Sequence, residues 1–532
     1  MAAVARARGR ADRDRLRPDA GAPGAHDAVQ HPGAPGLVTE GRAGGEEPRP
    51  RLLGLCLGPL LFAALLLTPL PGLSSRAHVL AGIFAWAVVY WMTAALPLAV
   101  TALLASVLAI ALGVAPARTV LAPYADPVIF LFIGSFVIAA AMRSSGLDTR
   151  FAFALLRRDW ATRTPRRLLL TVGTITCALS LWVSNTATTA IMLPVGRGLL
   201  RGFGPAGDGA QSRFPIGLML MLTWSSSVAV GIPVGSPPNL IAIEMVRELG
   251  GRRLTFFDWV AVAMPLTVLM LLLSWVILGW RYGEPAARAG DVRAWIAAER
   301  ARLGPWRRAE VNVLVVFGLV AVLWMLPGAV AAVTSPEAAL PRFFEAHLPE
   351  SVIALAGAVL LFCLPTDARR GEFTISWGEA ARIDWGTILL FGGGLSLGHL
   401  MYETGLAAAV GRALVRVSGA QDVWALTAVA IVAGILLSET SSNTASASVV
   451  IPVMIAVAAG LGVSPVPPAL GAALGASFGF MLPVSTPPNA IVYGSGLVPL
   501  REMVRSGIVL DILGALLIWL GLRVLAPLAG LV

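Results

Sequence analysis

Apolar residues run almost unbroken through Leu52–Leu70, Val79–Ile110 and Val260–Trp280, close to or beyond the roughly 20 residues a helix needs to cross a bilayer. The pattern predicts eleven crossings, near 52–71, 79–95, 97–115, 126–143, 214–248, 257–280, 310–331, 350–365, 384–402, 467–495 and 506–529. Two further apolar stretches, 168–200 and 421–456, are interrupted by small polar side chains. They read as re-entrant hairpins. One holds Ser184-Asn185-Thr186 in LWVSNTATTAIMLPV, the other Ser442-Asn443-Thr444 in SETSSNTASASVVIPV.

The two polar tips lie 258 residues apart, and other segments repeat with them. FLFIGSFVIAAAMRSSGL (130–147) resembles LLFGGGLSLGHLMYETGL (389–406), and GIPVGSPPNLI (231–241) resembles MLPVSTPPNAI (481–491). Three matches in one order mark an internal duplication. Five crossings separate the corresponding elements, so the halves have opposite orientation in the membrane. An inverted repeat with polar breaks is the build of secondary transporters, with the site at the repeat interface. The first helix and first repeat occupy 52–309, the second repeat 310–532.

Each half also breaks at consecutive prolines, in Gly235-Ser236-Pro237-Pro238-Asn239 and Ser485-Thr486-Pro487-Pro488-Asn489. Proline removes a backbone donor and interrupts a helix. Broken backbone at membrane depth persists only where protein or a polar cavity covers it, so four breaks point to one cavity near the midplane. Helix N-termini at the tips favour carboxylates, and exposed carbonyl, hydroxyl and amide oxygens suit a hard cation. No arginine lies in any of the four segments. A dianion there is held by dipoles and co-bound cations, which makes cation coupling the natural reading.

Composition agrees: 57% of the 532 residues are hydrophobic, 13% are charged and mean hydropathy is +0.78. Net charge is +10 and every basic residue is arginine. The arginines gather at span ends, which excludes a nucleic-acid surface. Their bias puts the N-terminus in the cytoplasm and the C-terminus outside: the basic tail, Arg150–Arg167, the seven arginines of 281–308, Arg369, Arg370, Arg382, Arg501 and Arg505 share one side. Arg247, Arg252 and Arg253 are the exceptions. Residues 1–50 lack an apolar core and read as a disordered basic tail. Cys56, Cys177 and Cys363 sit in apolar segments and form no disulfide framework or metal spacing.

With both Ser-Asn-Thr tips, both Pro-Pro-Asn breaks and the Gly-rich fourth and ninth crossings, residues 52–530 resemble the divalent anion–sodium symporter family. The resemblance implies a homodimer in a bacterial inner membrane, with a scaffold and a transport domain that moves as an elevator. It implies Na+ as coupling ion, in two or more copies, and no organic cofactor. The first Na+ site would use Ser180, Asn185 and backbone around Gly235, the second Ser438, Asn443 and backbone around Ser485. Substrate carboxylates would meet Ser184, Asn185, Thr186 and Ser236 from one half, and Ser442, Asn443, Thr444 and Thr486 from the other. Two intact tips suit two carboxylates, so a dicarboxylate of the succinate, malate or fumarate type is expected over sulfate or citrate.

Glu439 stands where the first half has Leu181, and a backbone-bonded role is expected of it. His399, opposite Ala140, reads as a packing histidine. Asp126 and Asp384 read as helix caps. Segments 148–163 and 405–417 read as interfacial amphipathic helices. A Na+-independent exchanger of the same fold is the alternative, and a proton antiporter or metalloid carrier would require more buried acids. No nucleophile–base pair or metal cluster argues for an enzyme.

Overall fold

A computed structural model of the chain describes residues 49–156, 160, 163–201, 213–283, 290–334 and 339–532. The tail expected over 1–50 lies outside the described residues except for its last two, which already belong to the first helix.

Helices α1 (Arg49–Leu67), α2 (Ser75–Thr93) and α3 (Leu98–Ala111) lead into a short α4 (Ala117–Leu121). A first series follows: α5 (Pro127–Ser145), α6 (Leu147–Leu156), α7 (Pro165–Ser180), α8 (Asn185–Arg201), α9 (Phe214–Ser227), α10 (Pro237–Gly250) and α11 (Phe256–Tyr282). The connection contains α12 (Gly290–Leu303), α13 (Arg308–Val333), α14 (Ala339–His347), α15 (Glu350–Cys363), strands β1 (Pro365–Asp367) and β2 (Glu372–Phe373), and α16 (Trp377–Ala380). The second series is α17 (Trp385–Glu403), α18 (Leu406–Ser418), α19 (Val423–Thr440), α20 (Asn443–Leu461), α21 (Val466–Ala476), α22 (Pro487–Gly494) and α23 (Leu500–Leu528). Element by element, α5–α11 repeat as α17–α23.

Six spans among the described residues are long and apolar enough to cross a membrane: Ala117–Ser145, Phe256–Tyr282, Arg308–Ala331, Val423–Thr440, Asn443–Leu461 and Leu500–Leu528. Large apolar side chains stay exposed along α1, α11, α13 and α23. Water would penalise that surface and lipid does not. The chain is an integral membrane protein.

Local chemistry explains the matching boundaries. Asp126 and Asp384 open α5 and α17, accepting from Val128 N at 2.8 Å and Thr387 N at 3.0 Å. Gly146 and Gly405 end the same helices with φ of 79° in both, a conformation glycine adopts without strain. Asp422 caps α19 through Trp424 N and Ala425 N. The expected interfacial helices appear as α6 and α18, α6 ending at Leu156; residues 157–159 and 161–162 fall outside the described residues.

Three expectations are corrected. The fold is not purely helical: β1 and β2 pair antiparallel, Pro365 opposite Phe373. The ribbon closes through Gly371 at φ 67° and through Thr374 N donating to Leu364 O at 3.0 Å. The basic loop 281–308 contains α12. The stretches 214–248 and 467–495 are each two helices joined by unwound chain that ends at the proline pair, with a 3-10 turn at Pro233–Gly235 in the first.

Close packing holds the second hairpin against its broken helix. α19 lies on α21 with glycines at the crossing. A Cβ added at Gly475 would come within 2.5 Å of Ile431 O, and one at Gly434 within 2.8 Å of Ala472 O. Only glycine permits that approach.

Candidate functional site

The hairpins and broken helices meet around one cavity of about 660 Å³. Its walls include Ser184, Asn185, Thr186, Gly235 and Ser236 from the first half, and Ser442, Asn443, Thr444, Ser485 and Thr486 from the second. Ser180 and Ser438 stand behind this wall, fully buried. The structure thus brings together every residue singled out for substrate, and sets the two serines in a layer behind.

That layer is nearly identical in the two halves. Ser180 Oγ lies 2.8 Å from Asn185 Oδ1 and 2.9 Å from Ser226 O. Ser438 Oγ lies 2.8 Å from Asn443 Oδ1 and 2.7 Å from Ala476 O. A serine hydroxyl has one proton and here faces two acceptors. Each cluster therefore holds three oxygens with a single hydrogen among them, an electron-rich pocket that fits a hard cation. Gly235 sits against more oxygen: a Cβ there would lie 2.6 Å from Ala229 O and 3.2 Å from Leu181 O.

Four helices, α8, α10, α20 and α22, begin at the cavity wall. Their dipoles, with the first-turn N–H groups of α8 and α20, give it a positive polarity. Ser236 is spent partly on structure, its Oγ 3.3 Å from Ser477 Oγ. Thr486 caps α22 by accepting from Asn489 N at 3.3 Å.

Sequence reasoning missed the residues that hold the breaks open. Asn239, fully buried, donates its amide to Val230 O and Ile232 O at 3.2 and 3.0 Å. Asn489 does the same to Gly479 O and Leu482 O at 2.8 and 2.9 Å. Each amide bridges two carbonyls of the unwound chain that precedes its proline pair. The repetition of Asn after Pro-Pro was the available signal. The copies differ at one atom: Asn489 Oδ1 accepts from Thr223 Oγ1 at 2.6 Å, while Asn239 Oδ1 has no partner among the described residues.

Glu439 is backbone-bonded, as expected. Its Oε1 accepts from Met481 N at 2.9 Å, and its Oε2 from Leu482 N at 3.2 Å and Ser485 Oγ at 2.5 Å. It ties the second unwound segment to its hairpin. Beside it lies the buried Asp511 of α23, next to the Glu439 carboxyl. Nothing in the sequence pairs the two, since 72 residues separate them.

His399 is a satisfied histidine set apart from the substrate cavity. Its Nε2 lies 3.1 Å from Glu403 Oε1, one turn on, and it is absent from the cavity wall. The side chain is one-third exposed, so its polar edge finds a polar partner. Asp126 caps α5 and also meets Arg247 at 3.1 Å. Arg247 bonds Glu244 as well, and the acidic trio Asp126, Glu244 and Glu248 around it is an ion-pair cluster.

Residues 51–529 match the family described as the sodium:sulfate symporter transmembrane region. The chain belongs to this divalent anion–sodium symporter family. Among its relatives is the sodium-dependent dicarboxylate transporter SdcS of Staphylococcus saprophyticus, 31% identical over 487 residues, covering 90% of this chain and 92% of that protein. SdcS of Staphylococcus aureus strain MRSA252 is 30% identical over 489 residues, covering 90% and 91%. The solved Alcanivorax borkumensis YdaH transporter shares the fold, with a TM-score of 0.52 at 16% identity, over 91% of this chain and 98% of that one.

Proposed function

We propose that this protein is a Na+-coupled secondary transporter that imports a small dicarboxylate. The observation that carries the reading is the pair of matched oxygen clusters, Ser180–Asn185–Ser226 O and Ser438–Asn443–Ala476 O, flanking one cavity into which four helices begin. Each cluster, with backbone around Gly235 or Ser485, takes one Na+. Bound cations and helix dipoles then offset the two carboxylates, which Ser184, Asn185, Thr186 and Ser236 meet from one side and Ser442, Asn443, Thr444 and Thr486 from the other. Asn185 and Asn443 touch both cation and substrate, and so couple the two.

In this reading the chain makes eleven crossings and two re-entrant hairpins in a bacterial inner membrane, N-terminus in the cytoplasm and C-terminus outside, with the site near the midplane. The two repeats, 52–309 and 310–532, form scaffold and transport domains of a homodimer. The transport domain carries the loaded cavity across as an elevator. Relatives named as sodium-dependent dicarboxylate transporters support the choice of ion and substrate.

The test is uptake of radiolabelled succinate into proteoliposomes with and without an inward Na+ gradient. Uptake that requires the gradient is expected. Uptake without Na+ that appears only with internal dicarboxylate would replace the symporter with an exchanger. Uptake of sulfate in place of succinate would move the substrate class.

A further inference from the structure

We infer that Arg143 is a specificity residue of this cavity: its guanidinium draws in a doubly charged substrate and favours it over a singly charged one of the same shape. The inference rests on the reading of the cavity as a dianion site. It adds a fixed cation to a site otherwise built from dipoles and bound ions.

Arg143 lies outside the four polar breaks, on α5. Ser135, Phe136, Ala139 and Arg143 all line the cavity. Their spacing puts them on one face of that helix, with Arg143 two turns beyond Ser135. It is exposed there, and no hydrogen bond or ion pair to its guanidinium occurs among the described residues. Asp148, the nearest acid, is buried and accepts from its neighbour Thr149.

Two charged residues line the cavity, Arg143 and Asp384. The Asp384 carboxylate is already engaged. Its oxygens accept from Thr387 N at 3.0 Å and Thr387 Oγ1 at 2.6 Å, at the N-terminus of α17, where the helix dipole offsets its charge. Arg143, in the last turn of α5 and attracted by Asp148, is the wall charge that makes no hydrogen bond or ion pair among the described residues, and it is positive. The corresponding residue of the second half is Tyr402, so the duplicated site is electrostatically one-sided. An arginine that only anchored the end of α5 would have no reason to line the cavity.

Coulomb attraction doubles with ligand charge, so removing the guanidinium should weaken a dianion more than a monoanion. In proteoliposomes, Arg143→Gln is expected to raise KM for succinate about tenfold, with Vmax and the need for Na+ retained. Arg143→Lys should keep most of the affinity. The preference for succinate over monomethyl succinate, measured by competition, should narrow in the Gln variant only. In the wild type, KM should rise with choline chloride at fixed Na+; this readout needs no variant.

Unchanged KM and selectivity in Arg143→Gln would overturn the inference, as would equal losses in the Gln and Lys variants or a salt-independent wild-type KM. Should wild type take up sulfate and not succinate, the dicarboxylate reading fails, and the same KM comparison with sulfate decides Arg143. Uptake of neither dianion would overturn both.

Discussion

Glu439→Gln tests how the second cation site is held. The carboxylate is buried, and its two oxygens receive three hydrogen bonds, from Met481 N, Leu482 N and Ser485 Oγ. These donors span the unwound chain that carries the backbone proposed for Na+. A glutamine has the same shape but one acceptor oxygen. Its NH2 must face a donor on one side or the other, and the remaining bonds lose their charge. Hydrogen bonds to a charged group are worth about 1.5–3 kcal/mol each, against about 1 for neutral ones. Losing one bond and weakening two sums to about 2.5–7 kcal/mol. The low end of that range is about 3 kcal/mol. At 1.4 kcal/mol per factor of ten, that is about a hundredfold in the equilibrium holding the segment in place. The assay is a Na+ titration of succinate uptake, with choline keeping ionic strength constant, beside thermal melting of the detergent-solubilised protein. Half-saturating Na+ should rise by about tenfold or more and the melting temperature should fall. Leu181→Ala at the equivalent place in the first half should leave Na+ dependence nearly unchanged, because no carboxylate braces that segment. Wild-type Na+ dependence and melting in Glu439→Gln would refute the claim that this charge holds the break.

Asn185→Ala and Asn443→Ala should each abolish uptake while the protein still inserts and melts cooperatively; full activity in either would sink the site assignment. Gly235→Ala forces a methyl within 2.6 Å of Ala229 O and should cost more than about tenfold in Na+ affinity; Gly318→Ala, which meets nothing within 4 Å, is the neutral control. Thr223→Val leaves Asn489 Oδ1 unpaired and should destabilise by about 1–3 kcal/mol in thermal unfolding. His399→Ala removes a partly exposed pair with Glu403 and should change stability by less than about 1 kcal/mol, with uptake unaltered.

Much of the site was legible because it is written twice. Ser180 and Ser438 each precede the motif serine by four residues, and in both halves that spacing brings the hydroxyl to the asparagine five residues on. Long-range partners were not legible. Glu439 reaches residues 42 and 43 positions on, and Thr223 reaches Asn489 266 positions on. No periodicity encodes such a meeting, which follows from how the hairpins dock. The cavity arginine was missed for a related reason. A search confined to the four breaks finds no cation, because Arg143 arrives from an unbroken helix whose face is set only by packing. Short elements such as α12 and the β1–β2 ribbon were lost in polar connections where apolar patterning is silent.

The differences between the halves follow a rule of position. The oxygens of Ser180, Asn185 and Ser226 have counterparts in Ser438, Asn443 and Ala476, and the side chain changes freely at the third position because only its carbonyl is used. Asn239 and Asn489 match because both bridge two carbonyls of the unwound chain before their proline pair. One layer further out the copies diverge: Leu181 against Glu439, and Thr223 against Ala473. A ligand constrains the atoms that touch it and the backbone path that presents them. It does not constrain how that path is braced, and packing, a carboxylate or a cross-half hydroxyl can each do so. The unpaired Oδ1 of Asn239 fits this account. Ala473 stands where Thr223 stands in the other half and supplies no hydroxyl to Asn239, so the first break bears an unsatisfied buried acceptor that the second does not. Duplication thus preserved the chemistry facing the cavity, while the support behind each copy was solved separately.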